Sequence, residues 1–90
     1  MLFMSVFTFE PENRDAIIKR RVEKGPLVQA GAKIVSEWTS LAGHRAFRLV
    51  EVEDPRAMFA ATVAWSDLGN FEAFPVMPME EALKLLAAKK

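Results

Sequence analysis

The stretch LFMSVFTFEP, Leu2 to Pro11, decides how the rest of the chain must fold. Its apolar residues fall on both parities of an extended chain: Leu2, Met4 and Val6 on one side, Phe3, Phe7 and Phe9 on the other. Successive side chains of a strand point to opposite faces, so a strand apolar on both belongs in the middle of a sheet covered on both faces. Pro11 suits the first turn of a helix, where its missing N–H costs nothing, and Glu12 and Asp15 suit the positive end of the helix dipole. Ile17, Ile18 and Val22 give that helix one apolar side, and Lys24-Gly25-Pro26 reads as its end.

Working outward, Pro26–Ala32 reads as a loop. Lys33–Leu41 and His44–Val52 alternate as two strands of a hairpin around Ala42-Gly43. A two-residue turn there pairs Leu41 with His44, Glu37 with Arg48 and Trp38 with Phe47. An ion pair then lies on one face and an aromatic pair on the other, each worth roughly 0.2–1 kcal/mol. The same register puts Ile34 with Trp38 and Phe47, and Val50 with Glu37 and Arg48; a slip of one residue would exchange the faces of one strand. Asp54-Pro55 is a side-chain cap followed by Pro at the first helical position. That helix is expected from Pro55 to about Ser66, with Met58, Ala61, Thr62 and Trp65 on one stripe. Asp67–Asn70 reads as a loop, with Asp67 stabilising it, and Asn13-Arg14-Asp15 as capping and solvating the first helix. Phe71–Met77 is a strand whose Pro75 cannot donate to a ladder and so belongs on an edge. Pro78 opens a last helix in which Leu83, Leu85 and Leu86 need a partner, while Lys84, Lys89 and Lys90 face water.

The order is βαββαβ plus a C-terminal helix. An acidic residue and Pro follow the first strand at Glu10-Pro11 and the third at Asp54-Pro55, 44 positions on, a faint repeat of one βαβ half. Two such halves make a ferredoxin-like α+β fold with an antiparallel sheet of order 4-1-3-2. The doubly apolar strand then falls in the centre and the Pro75 strand on an edge.

Composition narrows the function classes. The 90 residues carry 12 Lys+Arg and 12 Asp+Glu, 51% are hydrophobic, and there is no Cys. Length fits a single domain over residues 1–90. Zero formal net charge argues against a nucleic-acid partner. Without Cys there is no disulfide, thiol nucleophile or thiolate metal site. Apolar runs are too short to span a membrane and Met1–Phe9 lacks the marks of a signal peptide, so the expectation is a soluble, cytoplasmic protein. In a ferredoxin-like fold the helices cover one sheet face. The other would leave roughly 300 Å² of apolar surface, from four strands about 4.8 Å apart and about 17 Å long. The simplest cover is a second copy stacked face to face, a two-fold homodimer; the alternative is the C-terminal helix folding back over it.

The stretches MLFMSVFTFEPENRDA at Met1–Ala16, EWTSLAGHRAFRLVE at Glu37–Glu51 and AWSDLGNFEAFPV at Ala64–Val76 are similar to a family of short bacterial proteins of unknown function. That family belongs to the dimeric α+β barrel superfamily. The resemblance spans nearly the whole chain and implies the same fold and homodimer, with no reaction to transfer. Family members often carry His directly after the hairpin Trp, where this chain has Thr39, so no catalytic His is transferred there. The wider superfamily includes cofactor-independent monooxygenases, isomerases, haem-degrading enzymes and peroxidases, so fold alone does not decide function.

Six residues are candidates for a ligand pocket: Trp38, Phe47, Trp65, Arg45, Arg48 and His44. The two Trp side chains combine a large apolar body with an N–H that wants a partner, or they simply fill core and interface. Arg45 and Arg48, with Glu37 and Glu51, would orient a carboxylate or phenolate, or else pair with each other across strands. His44 is the only imidazole; beside the turn it is a general base, an axial haem ligand or a solvent-exposed side chain. One His without Cys argues against a zinc site, and no phosphate-loop, dinucleotide or nucleophile-elbow motif occurs, so neither metal nor cofactor is expected. The readings are a homodimeric protein binding a small apolar or aromatic ligand, a cofactor-independent monooxygenase or isomerase acting on an aromatic or lactone-like molecule, or a purely structural or partner-binding dimer.

Overall fold

A computed structural model describes residues 1–28 and 30–88. Gln29, within the expected loop, and Lys89 and Lys90, expected to face water, lie outside the described residues. The elements are β1 (Leu2–Thr8), α1 (Arg14–Lys24), β2 (Ala32–Thr39), β3 (Arg45–Val52), α2 (Pro55–Val63), β4 (Asn70–Val76) and α3 (Met79–Ala88). The four strands form one antiparallel sheet of order β2-β3-β1-β4, the expected ferredoxin-like arrangement. β1 lies between β3 and β4, and Pro75 is on the edge strand β4, opposite Phe3.

Residues directly opposite in the ladder point to the same face, so the register sorts the sheet. On the helix side, Phe7 faces Ala46 and Phe71, Ser5 faces Arg48 and Ala73, and Phe3 faces Val50 and Pro75. Val50, Val52 and Met58 form a buried cluster there, with Phe3, Ala32 and Ala57 packed against it. Phe7, Ala61 and Trp65 are also buried. On the opposite face Met4 sits between Leu49 and Phe74, and Val6 between Phe47 and Glu72. Among the described residues, no helix residue is buried against that face: the buried helical side chains, Met58 and Ala61, belong to α2 on the other side.

Several local expectations are corrected. The hairpin keeps its register, with Glu37 opposite Arg48 and Trp38 opposite Phe47, but its strands stop at Thr39 and Arg45. Leu41 and His44 are therefore part of the loop rather than a strand pair; Ser40 N donates to Arg45 O at 2.9 Å and Gly43 N to Ser40 O at 3.0 Å. The register shifts between Ile34 and Ser36, leaving Val35 as an extra residue. Ile34 consequently lies opposite Val50, on the face away from Trp38 and Phe47, because one inserted residue flips every side chain before it.

The two acidic-Pro starts also diverge. Asp54 caps α2 by accepting from Arg56 N at 2.9 Å. After Glu10, by contrast, Pro11–Asn13 form a 3-10 turn before α1, and Asn13 makes no side-chain cap. Its Nδ2 instead donates to Leu68 O at 3.1 Å, across to the segment before β4. α2 ends at Val63, three residues before the expected Ser66.

That segment approaches β1 closely. A Cβ on Gly69 would lie 2.6 Å from Phe7 Cε1 and 2.6 Å from the carbonyl oxygen of Thr8, and backbone cannot swing aside as a flexible side chain does. Gly69→Ala is expected to destabilise the fold by about 1–3 kcal/mol through overpacking. Urea denaturation checks this; an unchanged midpoint would contradict the close approach.

Candidate functional site

α1 is held to the rest of the molecule chiefly through charge. Arg20 forms a two-pronged pair with Asp67, at 2.8 Å and 2.7 Å, and also donates to Ala64 O at 2.9 Å. Its guanidinium lies 5.5 Å from the centre of the Trp65 ring, a cation–π distance. One residue on, Arg21 makes a second two-pronged pair, with Glu37 of β2, at 2.7 Å and 2.9 Å. The apolar stripe of α1 is correspondingly loose: Ile18 is half exposed and Val22 is 79% exposed.

Between α1 and the sheet lies a cavity of about 220 Å³. Its apolar lining comes from Phe7, Ile17, Ile18, Val22, Ala46, Trp65 and Phe71, and its polar lining from Ser5, Arg21, Glu37 and Arg48. Phe7 and Phe71 stack with ring centres 4.6 Å apart, and Phe7 meets Trp65 at 6.4 Å. Pro26 O accepts from Trp65 Nε1 at 3.3 Å and from Arg48 at 3.4 Å, tying the loop after α1 to both side chains. Leu27, the next residue, has φ 55°, a left-handed conformation that costs a non-glycine residue about 1–2 kcal/mol.

The carboxylate of Glu37 is the electrostatic centre. It accepts both Arg21 bonds and a third, from Arg48 Nε, at 2.8 Å. Hydrogen bonds from Arg21, helped by Arg48, hold its carboxyl below the ordinary glutamate value against the opposing effect of desolvation. Hydrogen bonds from Arg20 likewise hold the exposed Asp67 below its ordinary value.

The six candidate residues do not converge on this cavity. Trp65 and Arg48 line it together. Trp38, Phe47 and Arg45 lie on the opposite face of the sheet, because their register alternates with that of Ala46 and Arg48. Phe47 and Arg45 border a second, more polar pocket of about 510 Å³ with Val6, Thr8, Asn70 and Glu72, while Trp38 is 52% exposed. His44 is in the hairpin loop, its ring edge-on to Phe9 at 6.3 Å. The expected cross-strand Glu37–Arg48 pair is present. Arg21 and Ser5 were not singled out. Arg21 was findable, since it follows Ile17 by four residues and Ile18 by three and so shares their helical face.

Sheet order, one-sided helices and a cavity between them define a ferredoxin-like α+β protein. The chain belongs to the family described as Domain of unknown function (DUF3303), whose profile matches residues 1–90. No curated protein matches it. Among solved structures it is similar to one described as a candidate antibiotic biosynthesis monooxygenase from Deinococcus radiodurans. That likeness has 11% identity, a TM-score of 0.51, and coverage of 86% of this chain and 92% of that one. At this identity it bears on the fold. Among the described residues, no helix is long and apolar enough to cross a membrane.

The depressed carboxyl of Glu37 has a pH signature. Its contribution to stability is fully present above the ordinary value of 4.5 and is lost as the pH falls through the lower folded-state value. Glu37→Gln is expected to cost about 1–2 kcal/mol at neutral pH, given the partial exposure of the three side chains. Chemical denaturation of both proteins across acid pH should show their stabilities converging as the pH is taken below 4.5. A gap that stays constant would mean that the carboxylate contributes nothing through its charge.

Proposed function

We propose that the protein is a homodimeric small-molecule-binding protein of the dimeric α+β barrel type, acting as a single domain in the cytoplasm. Its ligand site is the cavity between α1 and the sheet, and its partner is a second copy. The observation that carries the ligand reading is the cavity: a space with an almost wholly apolar wall and a few polar groups gathered at one side. A cavity of about 150 Å³ with an aliphatic and aromatic wall is enough to hold benzene, so about 220 Å³ suits one ring with a short substituent.

Three quantities support the homodimer. The radius of gyration is 15.0 Å, against about 12 Å for a compact domain of 90 residues. Accessible surface is 6550 Å², against about 5,300 Å² for a compact chain of this size. The excess exceeds the ~800 Å² that each partner contributes to a standard interface. Much of it is apolar and has no cover within the chain: Trp38 and Phe74 on the open sheet face, and Met79, Leu83, Leu85 and Leu86 on α3. A second copy facing the sheet would cover the first group and offers a surface for the second.

The alternative is a cofactor-independent monooxygenase or isomerase acting on an aromatic or lactone-like molecule, and the description of the Deinococcus structure as a candidate monooxygenase is in line with the first of these. This cavity is poorly equipped for such turnover. Glu37, the carboxylate among its lining residues, already accepts three bonds and is held low, which makes it a weak proton acceptor, and His44 lies in the hairpin loop.

4-Fluorotoluene, small and neutral, tests the site. Its fluorine resonance should broaden and shift on titration with the protein. Ala46→Leu, which adds bulk to the cavity wall, should abolish the change while leaving the circular dichroism spectrum intact. A response that survives Ala46→Leu, or no binding by the unaltered protein of this or any other single-ring probe, would contradict the assignment of this cavity.

A further inference from the structure

We propose that the ligand of this cavity is a small monocyclic monoanion, with its ring against Trp65 and Phe71 and its oxyanion at Ser5 and Arg48. The inference rests on the reading of the cavity as the ligand site and specifies what that site selects. Three observations lead to it.

The first is the charge count. Two guanidinium groups, Arg21 and Arg48, meet one carboxylate, Glu37, in a wall otherwise almost free of charge. One positive charge is left over, and a ligand with one negative charge neutralises it. A neutral ligand would displace water from that cation without replacing its solvation, and a dianion would create an excess charge of opposite sign.

The second is the unused donor capacity of Arg48. Its side chain is only 14% exposed. Nε is committed to Glu37 and NH1 makes a long bond to Pro26 O, while NH2 has no hydrogen-bond partner among the described residues. Arginine presents its N–H groups as a planar fork suited to carboxylates, so a free nitrogen beside an apolar cavity is an oriented anion donor.

The third is Ser5, which is 3% exposed and lines the same cavity. Its hydroxyl makes no hydrogen bond to the described residues and is not sealed off; Ser5 lines this cavity and, with Arg48, a small hollow beside it toward Met58. Ser5 and Arg48 are directly opposite in the β1–β3 ladder, which sets their Cβ atoms about 5 Å apart on one face. One carboxylate can span both donors. A ligand oxygen would give the Ser5 hydroxyl a partner.

Phenylacetate and its neutral counterpart phenylacetamide test the inference by isothermal titration calorimetry at low salt. Phenylacetate is expected to bind at least about tenfold more tightly, with the preference shrinking as salt is raised. Ser5→Ala should weaken phenylacetate several-fold. Glu37→Gln, which removes the competing carboxylate, should tighten phenylacetate, and Arg48→Gln should erase the preference. Should Arg48→Gln not fold, Ser5→Ala and the salt series carry the decision. If phenylacetamide binds as tightly as phenylacetate, the anion inference is overturned while the cavity remains the ligand site. If both of these and 4-fluorotoluene fail to bind, the site reading falls and the inference with it.

Discussion

A central strand that is apolar on both faces governs this structure. β1 pairs with β3 on one side and β4 on the other, and its odd and even residues supply apolar groups to opposite faces of the sheet. Phe3 and Phe7 face the helices; Leu2, Met4 and Val6 do not. A βαββαβ chain can place its two crossover helices on one face only, so these helices bring nothing to the second set. Burying a side chain of this size contributes about 1.5–3 kcal/mol. Leu2, Met4 and Val6 are only partly covered by their neighbours in the sheet, and Trp38 and Phe74 on the same face are 52% and 42% exposed. This is the reason for assigning a second copy to the open face.

The covered face follows a different logic. α2 packs conventionally, burying Met58 and Ala61 against β3. α1 buries no residue fully and is pinned by Arg20, Arg21 and the preceding Asn13 to two separate segments, the loop before β4 and strand β2. Such pins fix where the helix lies without requiring its apolar stripe to press onto the sheet. The gap they leave is the cavity, and because two of the pins are cationic its rim is charged as well as shaped. The ligand reading and the anion inference thus derive from the same packing choice.

How much of this was legible in the sequence depends on the range of the interactions involved. β1's place in the centre, Pro75 on the edge and the Asp54 cap are written in single residues or in a period of two, and the structure agrees with each. The hairpin register was also legible, because Glu37–Arg48 and Trp38–Phe47 support it together. The extra residue at Val35 left no local mark, since Ile34 and Val35 are both good strand formers and no glycine signals the shift. Asn13 has the side chain of a cap, and only the arrival of Leu68 from 55 residues away decides that it bonds elsewhere. Residue type groups Trp38 with Trp65, whereas strand parity puts Trp38 on the face of the sheet opposite the cavity that Trp65 lines.

The measurement that tests the central claim most directly is the mass of the protein by light scattering during size exclusion, over a wide concentration range. It should be run beside a Leu49→Glu variant, which places a charge next to Met4 on the open face. The account predicts twice the chain mass for the unaltered protein and a monomer, or a marked loss of dimer on dilution, for Leu49→Glu. A unaltered protein that stays monomeric at every concentration, or a dimer indifferent to Leu49→Glu, would contradict it.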